Sequence, residues 1–113
     1  IVTDQIGSPT SADDLARMVW AAMPEIKENK TVSLYHLCNT GQASWYDLAK
    51  FILSHKSERY ELQEISSGQF KTSATRPAYS VLDTMKFQNE FSVLPKTWQD
   101  AVTEILDKRE AGR

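Results

Sequence analysis

Twice in this chain a serine is followed three residues later by an aspartate and then by apolar residues at helical spacing: Ser11 with Asp14, and Ser44 with Asp47. A serine hydroxyl that accepts from the third helical N–H, with the acid reaching back, satisfies two donors that a helix start otherwise leaves orphaned. Each pair therefore marks a helix N-terminus. The first opens a helix with the stripe Leu15, Met18, Val19, Ala22 and Met23, closed by Pro24 and the polar run at 27–30. The second carries Trp45, Leu48, Ala49 and Ile52, with Leu53 at its edge. Between them, residues 32–38 are β-branched and aromatic enough for a buried strand, turned by Asn39, Thr40 and Gly41. Helix, strand and helix in that order imply an α/β arrangement.

The flanks extend it. Residues 1–3 read as a short strand running into the turn Gly7-Ser8-Pro9-Thr10, and "ELQEISS" at 61–67 as an edge strand. Ser80, Val81 and Leu82 are a short extended piece, after which Asp83 caps a short helix with Phe87 and Phe91. A last amphipathic helix follows Leu94-Pro95 with Trp98, Val102, Ile105 and Leu106. The expectation is one small α/β domain over residues 1–113, with about four helices and two or three short strands. Residues 68–80 fit no period and read as an irregular loop, a length that in compact domains is usually functional or mobile.

Several chemistries are excluded. A net charge of -2 gives no footprint for nucleic acid. No apolar run approaches the ~20 residues of a membrane span, and the start lacks a signal peptide's basic and apolar regions. Cys38 is the single cysteine, so no internal disulfide forms, and its place at the end of an apolar run suggests a buried thiol. These features point to a cytoplasmic protein. His36 and His55 have no zinc-like spacing with Cys38 or each other, so no metal site is expected. Asp13 and Asp14 suit the dipole of a first helical turn. The four glycines, Gly7, Gly41, Gly68 and Gly112, are too scattered for a dinucleotide turn or a P-loop. Tyr46 and Lys50 share the Tyr-x-x-x-Lys spacing of short-chain dehydrogenases, but that pair works only beside a cofactor, so here it reads as scaffold.

"DQIGSPTSADDLA" from Asp4, "LYHLCNTGQASWYDLAKFI" from Leu34, and "RPAYSVLDTMKF" from Arg76 followed by "LPKTWQDAV" resemble, in that order, the C-terminal part of dTDP-4-dehydrorhamnose reductase. That family belongs to the extended short-chain dehydrogenases. The resemblance implies a substrate-binding domain that closes over a dTDP-sugar, with its own N-terminal Rossmann domain as partner. It implies NADPH in the full-length enzyme and none bound by this fragment, whose abrupt start at Ile1-Val2 also reads as a cut. The reaction implied is hydride transfer to the C4 carbonyl of dTDP-4-dehydro-L-rhamnose, giving dTDP-L-rhamnose. The catalytic Tyr and Lys would lie upstream, so no catalytic residue is expected here.

For substrate binding, the resemblance and the loop chemistry single out Arg76, whose planar fork suits a diphosphate. Ser8 and Thr10 offer hydroxyls in the first loop, and Gln5 and Tyr79 stand at the cleft edge. The second arginine that many extended dehydrogenases carry near that first loop is missing. Two other readings stay open. The regulatory β subunit of methionine adenosyltransferase resembles the same family and is non-enzymatic. A free-standing interaction module would self-associate over Trp45 or Trp98.

Overall fold

The computed structural model describes residues 1–28, 32–56, 61–68 and 74–111. Its elements are four helices, α1 (Ala12–Glu28), α2 (Trp45–Ser54), α3 (Met85–Phe91) and α4 (Trp98–Ala111), and one sheet of two strands, β1 (Ile6–Gly7) and β2 (Ala43–Ser44). The α/β expectation holds. The residues group into two compact units, one of Ile1–Pro9 with Gln42–Val81, the other of Thr10–Gly41 with Leu82–Arg113.

In the first unit β1 and β2 pair antiparallel, Ile6 with Ser44 and Gly7 with Ala43. Ser44 ends β2 and caps α2 with the full reciprocal box: Asp47 N–H donates to Ser44 Oγ and Ser44 N–H donates to Asp47 Oδ2, each at 3.0 Å. The next orphan donor, Tyr46 N–H, goes to Val2 O at 3.1 Å. The strands expected at 1–3 and 61–67 shrink to one parallel bridge, Val2 to Ile65, tied by Thr3 N–H to Ile65 O (2.9 Å) and Ile65 N–H to Ile1 O (3.0 Å). Trp45, expected on the buried stripe of α2, is exposed instead, and no residue of that helix is fully buried.

In the second unit Met18, Ala22, Phe87, Phe91 and Val93 form the core, with Tyr35 and Leu37 packed against them. The rings of Tyr35 and Phe91 meet edge-on at 5.2 Å and those of Phe87 and Phe91 at 4.9 Å, geometries favoured by the aromatic quadrupole. Phe87 and Phe91 are thus where the sequence puts them, but the N-cap of α3 is Thr84 rather than the expected Asp83, which lies one residue earlier and accepts from Met85 N–H at 3.0 Å.

Two expectations for this unit need correction. α1 runs through Pro24 to Glu28 rather than ending there. Proline removes its own N–H and its ring crowds the Trp20 carbonyl, but both Pro24 and Trp20 are exposed, so that carbonyl can lean out to water. Residues 32–38 form no strand. Tyr35 and Leu37 turn onto the core while Val32, Leu34 and His36 are exposed, so the side chains alternate as in a strand. No other segment of the described residues runs beside them to complete a ladder.

Ser11 caps α1 differently from Ser44. Asp14 N–H donates to Ser11 Oγ at 3.2 Å, but Ser11 N–H goes to Asn39 Oδ1 at 2.8 Å rather than to Asp14. The Asp14 carboxylate is thereby freed for Arg17 Nε (2.8 Å), Lys96 N–H (3.3 Å) and the Asn39 amide. Burial alone would raise the Asp14 pKa, but Arg17, Lys96 and Asn39 together outweigh it and hold the carboxyl below its ordinary value.

The turn at Gly41 closes the unit against α4. Thr40 N–H donates to Lys96 O at 2.9 Å and Trp98 N–H to Thr40 O at 3.0 Å. Gly41 sits at φ +88°, and a Cβ there would stand 3.0 Å from Trp98 Cδ1. Gly41→Ala is therefore expected to destabilise the protein by more than about 1 kcal/mol. A thermal melt checks this, and an unchanged midpoint would mean that residue 41 leaves the left-handed region without cost.

Candidate functional site

β1 is only two residues long, yet both its edges are occupied. β2 lies on one. On the other, Tyr79 bridges Ile6 in parallel: Ile6 N–H donates to Ala78 O and Ser80 N–H to Ile6 O, both at 2.8 Å. Segments some seventy positions apart in sequence are thus laid side by side, Ile6 and Gly7 next to 78–80. Gly7 permits the approach, since a Cβ there would come within 3.1 Å of Ser80 Oγ. The start of the long loop is held by the same stretch of chain. Asp4 accepts from Ser67 N–H at 2.8 Å and from Ser67 Oγ at 2.9 Å. Residues 69–73 of that loop lie outside the described residues.

Four of the five residues singled out from sequence therefore share one unit: Gln5 and Ser8 on the first segment, Arg76 and Tyr79 on the second. Gln5 and Ser8 are half-buried, while Arg76 and Tyr79 are exposed. Among the described residues no carboxylate pairs with Arg76, so its guanidinium is not committed to an internal ion pair. Thr10 belongs to the other unit, where its hydroxyl accepts from Asn39 N–H at 3.3 Å and helps seat the Asn39–Asp14 network.

Sequence reasoning passed over Gln42, whose Oε1 accepts from the Tyr79 hydroxyl at 3.2 Å. Its signal was slight: a polar amide between a turn glycine and the residues leading into a helix cap. Tyr46 and Lys50 lie on α2, with Tyr46 half-buried and Lys50 exposed.

Elsewhere the polar surface is spent on itself. Along α4, Glu104 accepts from Lys96 and pairs with Lys108 at 3.5 Å, and Lys108 reaches Asp13 of α1 at 3.4 Å. Among the described residues no three His, Cys, Asp or Glu side chains gather to hold a metal ion. No helix is long and apolar enough to cross a membrane. Among the described residues, the two segments that meet at β1 carry the Arg76 guanidinium, hydroxyls, amides and an exposed phenol, with no nucleophile paired to a base.

The family model described as "RmlD substrate binding domain" matches residues 1–111. The spore coat polysaccharide biosynthesis protein SpsK of Bacillus subtilis is 32% identical over 98% of this chain and 37% of its own length. A dTDP-4-dehydrorhamnose reductase of Aggregatibacter actinomycetemcomitans is 34% identical over 93% of this chain and 38% of its own. Among solved structures, the dTDP-4-dehydrorhamnose reductase of Bacillus anthracis in complex with NADP superposes with a TM-score of 0.80 at 30% identity, covering 96% of this chain and 37% of that one. The Clostridium acetobutylicum ortholog gives 0.86 at 28% identity, covering 97% and 39%. This chain thus spans little more than a third of the length of the relatives it matches.

Proposed function

The chain belongs to the RmlD substrate binding domain family, and from that footing we propose that it is the sugar-nucleotide-binding part of a reductase that makes dTDP-L-rhamnose from dTDP-4-dehydro-L-rhamnose. The observation that carries the reading is the pairing of Ile6, which lies between Gln5 and Ser8, with the 78–80 stretch that holds Tyr79, in a chain matched over nearly its whole length by that family. Arg76, three residues before Tyr79, supplies paired donors for the diphosphate, which a planar fork meets better than a point charge. Ser8 adds a hydroxyl from the first loop. Thr10, engaged with Asn39, contributes by fixing the loop's exit. Binding energy gathered here holds the sugar in place for chemistry carried out elsewhere in the protein.

The residues present do not fit a dinucleotide. Gly7, Gly41 and Gly68 fall one to a turn and offer no run of bare backbone to a pyrophosphate. We therefore place the NADPH, and the residues that move protons, in the part of the full-length protein beyond this chain, and place the whole in the cytoplasm. That part also covers the apolar surface left open here, where Trp20 is 78% and Leu34 74% exposed.

Isothermal titration of the full-length protein with dTDP-L-rhamnose tests the reading. Saturable binding competed by dTDP is the expected result, and no heat at millimolar ligand would remove it.

A further inference from the structure

Tyr79 is 61% exposed, yet its hydroxyl is held, donating to Oε1 of Gln42. A phenol has one proton to give. Once Gln42 takes it, the Tyr79 oxygen faces other partners only as an acceptor. It then suits a ligand hydroxyl and has nothing to offer a phosphate oxygen, which needs donors. Arg76, three residues upstream, is the complement: donors only, and no acceptor.

The backbone sets Gln42 where it can act in this way. The β1–β2 register, Ile6 with Ser44 and Gly7 with Ala43, continued by one step brings Gln42 opposite Ser8. Tyr79 is bridged to Ile6 from the opposite edge of β1. Gln42 thus reaches across the strand and ties the two edges of the cluster together. Tyrosine has few torsions to freeze, and a held hydroxyl fixes the ring before a ligand arrives.

We infer that Gln42 is a positioning residue that, by taking the Tyr79 proton, presents the phenol oxygen as an acceptor for a hydroxyl of the sugar ring, leaving the diphosphate to Arg76. This rests on the sugar-nucleotide reading above.

The test titrates the full-length protein with dTDP-L-rhamnose and, separately, with dTDP, which lacks the sugar. Gln42→Leu is expected to weaken dTDP-L-rhamnose binding about fivefold to tenfold, the worth of one ordinary hydrogen bond. Its affinity for dTDP should match the wild type. Gln42→Glu keeps the acceptor and should keep the wild-type ratio of dTDP-L-rhamnose to dTDP affinity, its added charge weakening both ligands alike. Tyr79→Phe should behave like Gln42→Leu, and the double variant no worse than either, because the two residues act as one unit. A Gln42→Leu protein that keeps its sugar affinity, or loses dTDP affinity in equal measure, overturns the inference. So does a Gln42→Glu protein that loses dTDP-L-rhamnose affinity while keeping that for dTDP. Wild-type protein that binds neither ligand removes the underlying reading instead.

Discussion

Arg76→Ala is expected to bind dTDP-L-rhamnose about ten to a hundred times more weakly in the full-length protein, with NADPH affinity nearly unchanged. The magnitude follows from hydrogen bonds to charged groups, worth about 1.5–3 kcal/mol, at about 1.4 kcal/mol per tenfold. Among the described residues no carboxylate pairs with this arginine. Arg76→Lys should recover only part of the loss, because an ammonium cannot make the two parallel bonds. Titration calorimetry on the two variants measures both. Unchanged sugar affinity in Arg76→Ala would make the residue scaffold.

The largest stability effect is expected at Asp14, which is 4% exposed and bonded to Arg17, Lys96 N–H and Asn39. Asp14→Ala strands the fully buried Asn39 amide and the Lys96 N–H, and each buried unmet donor costs about 1–3 kcal/mol. A total of about 3–5 kcal/mol, the usual cost of breaking a buried charged network, is the expected loss in denaturant unfolding. The pH dependence has a definite sign. The folded pKa of Asp14 is depressed, so the folded state holds the ionised form more tightly than the unfolded chain does. The resulting stability is fully present above the unfolded carboxylate value near 3.9 and is lost as pH falls through the folded one. Wild type should thus lose stability between about pH 4 and more acidic values, and Asp14→Asn should lose less over that interval. Identical acid profiles for the two would place the acid sensitivity elsewhere.

The helices were legible because their signals are local. Ser44 and Asp47 lie within one turn of each other, and so do Phe87 and Phe91, so a few neighbouring residues decide each element. Ser11 shows where that ends. Its backbone N–H goes to Asn39, twenty-eight positions away, and no local pattern names that partner. Pro24 misled for a related reason: whether a proline ends a helix depends on which face it occupies. The strand-like period of 32–38 was read correctly as a period and wrongly as a strand, since a strand needs a neighbour that the pattern cannot name. At the candidate site, Arg76 and the first loop announced themselves by residue type. The pairing of Ile6 with 78–80, and the bond from Tyr79 to Gln42, depend on contacts between distant segments.

Lys86 touches that unpaired stretch. Its ammonium lies 4.7 Å from the centre of the Tyr35 ring, 3.0 Å from Ser33 Oγ and 2.9 Å from the Leu34 carbonyl oxygen. An open edge with outward apolar side chains is the kind of surface on which one polypeptide recruits another into cross-strand aggregates. A lysine that bonds one of its carbonyls sets a charge where a second edge would dock, the device by which exposed extended segments resist edge-to-edge pairing.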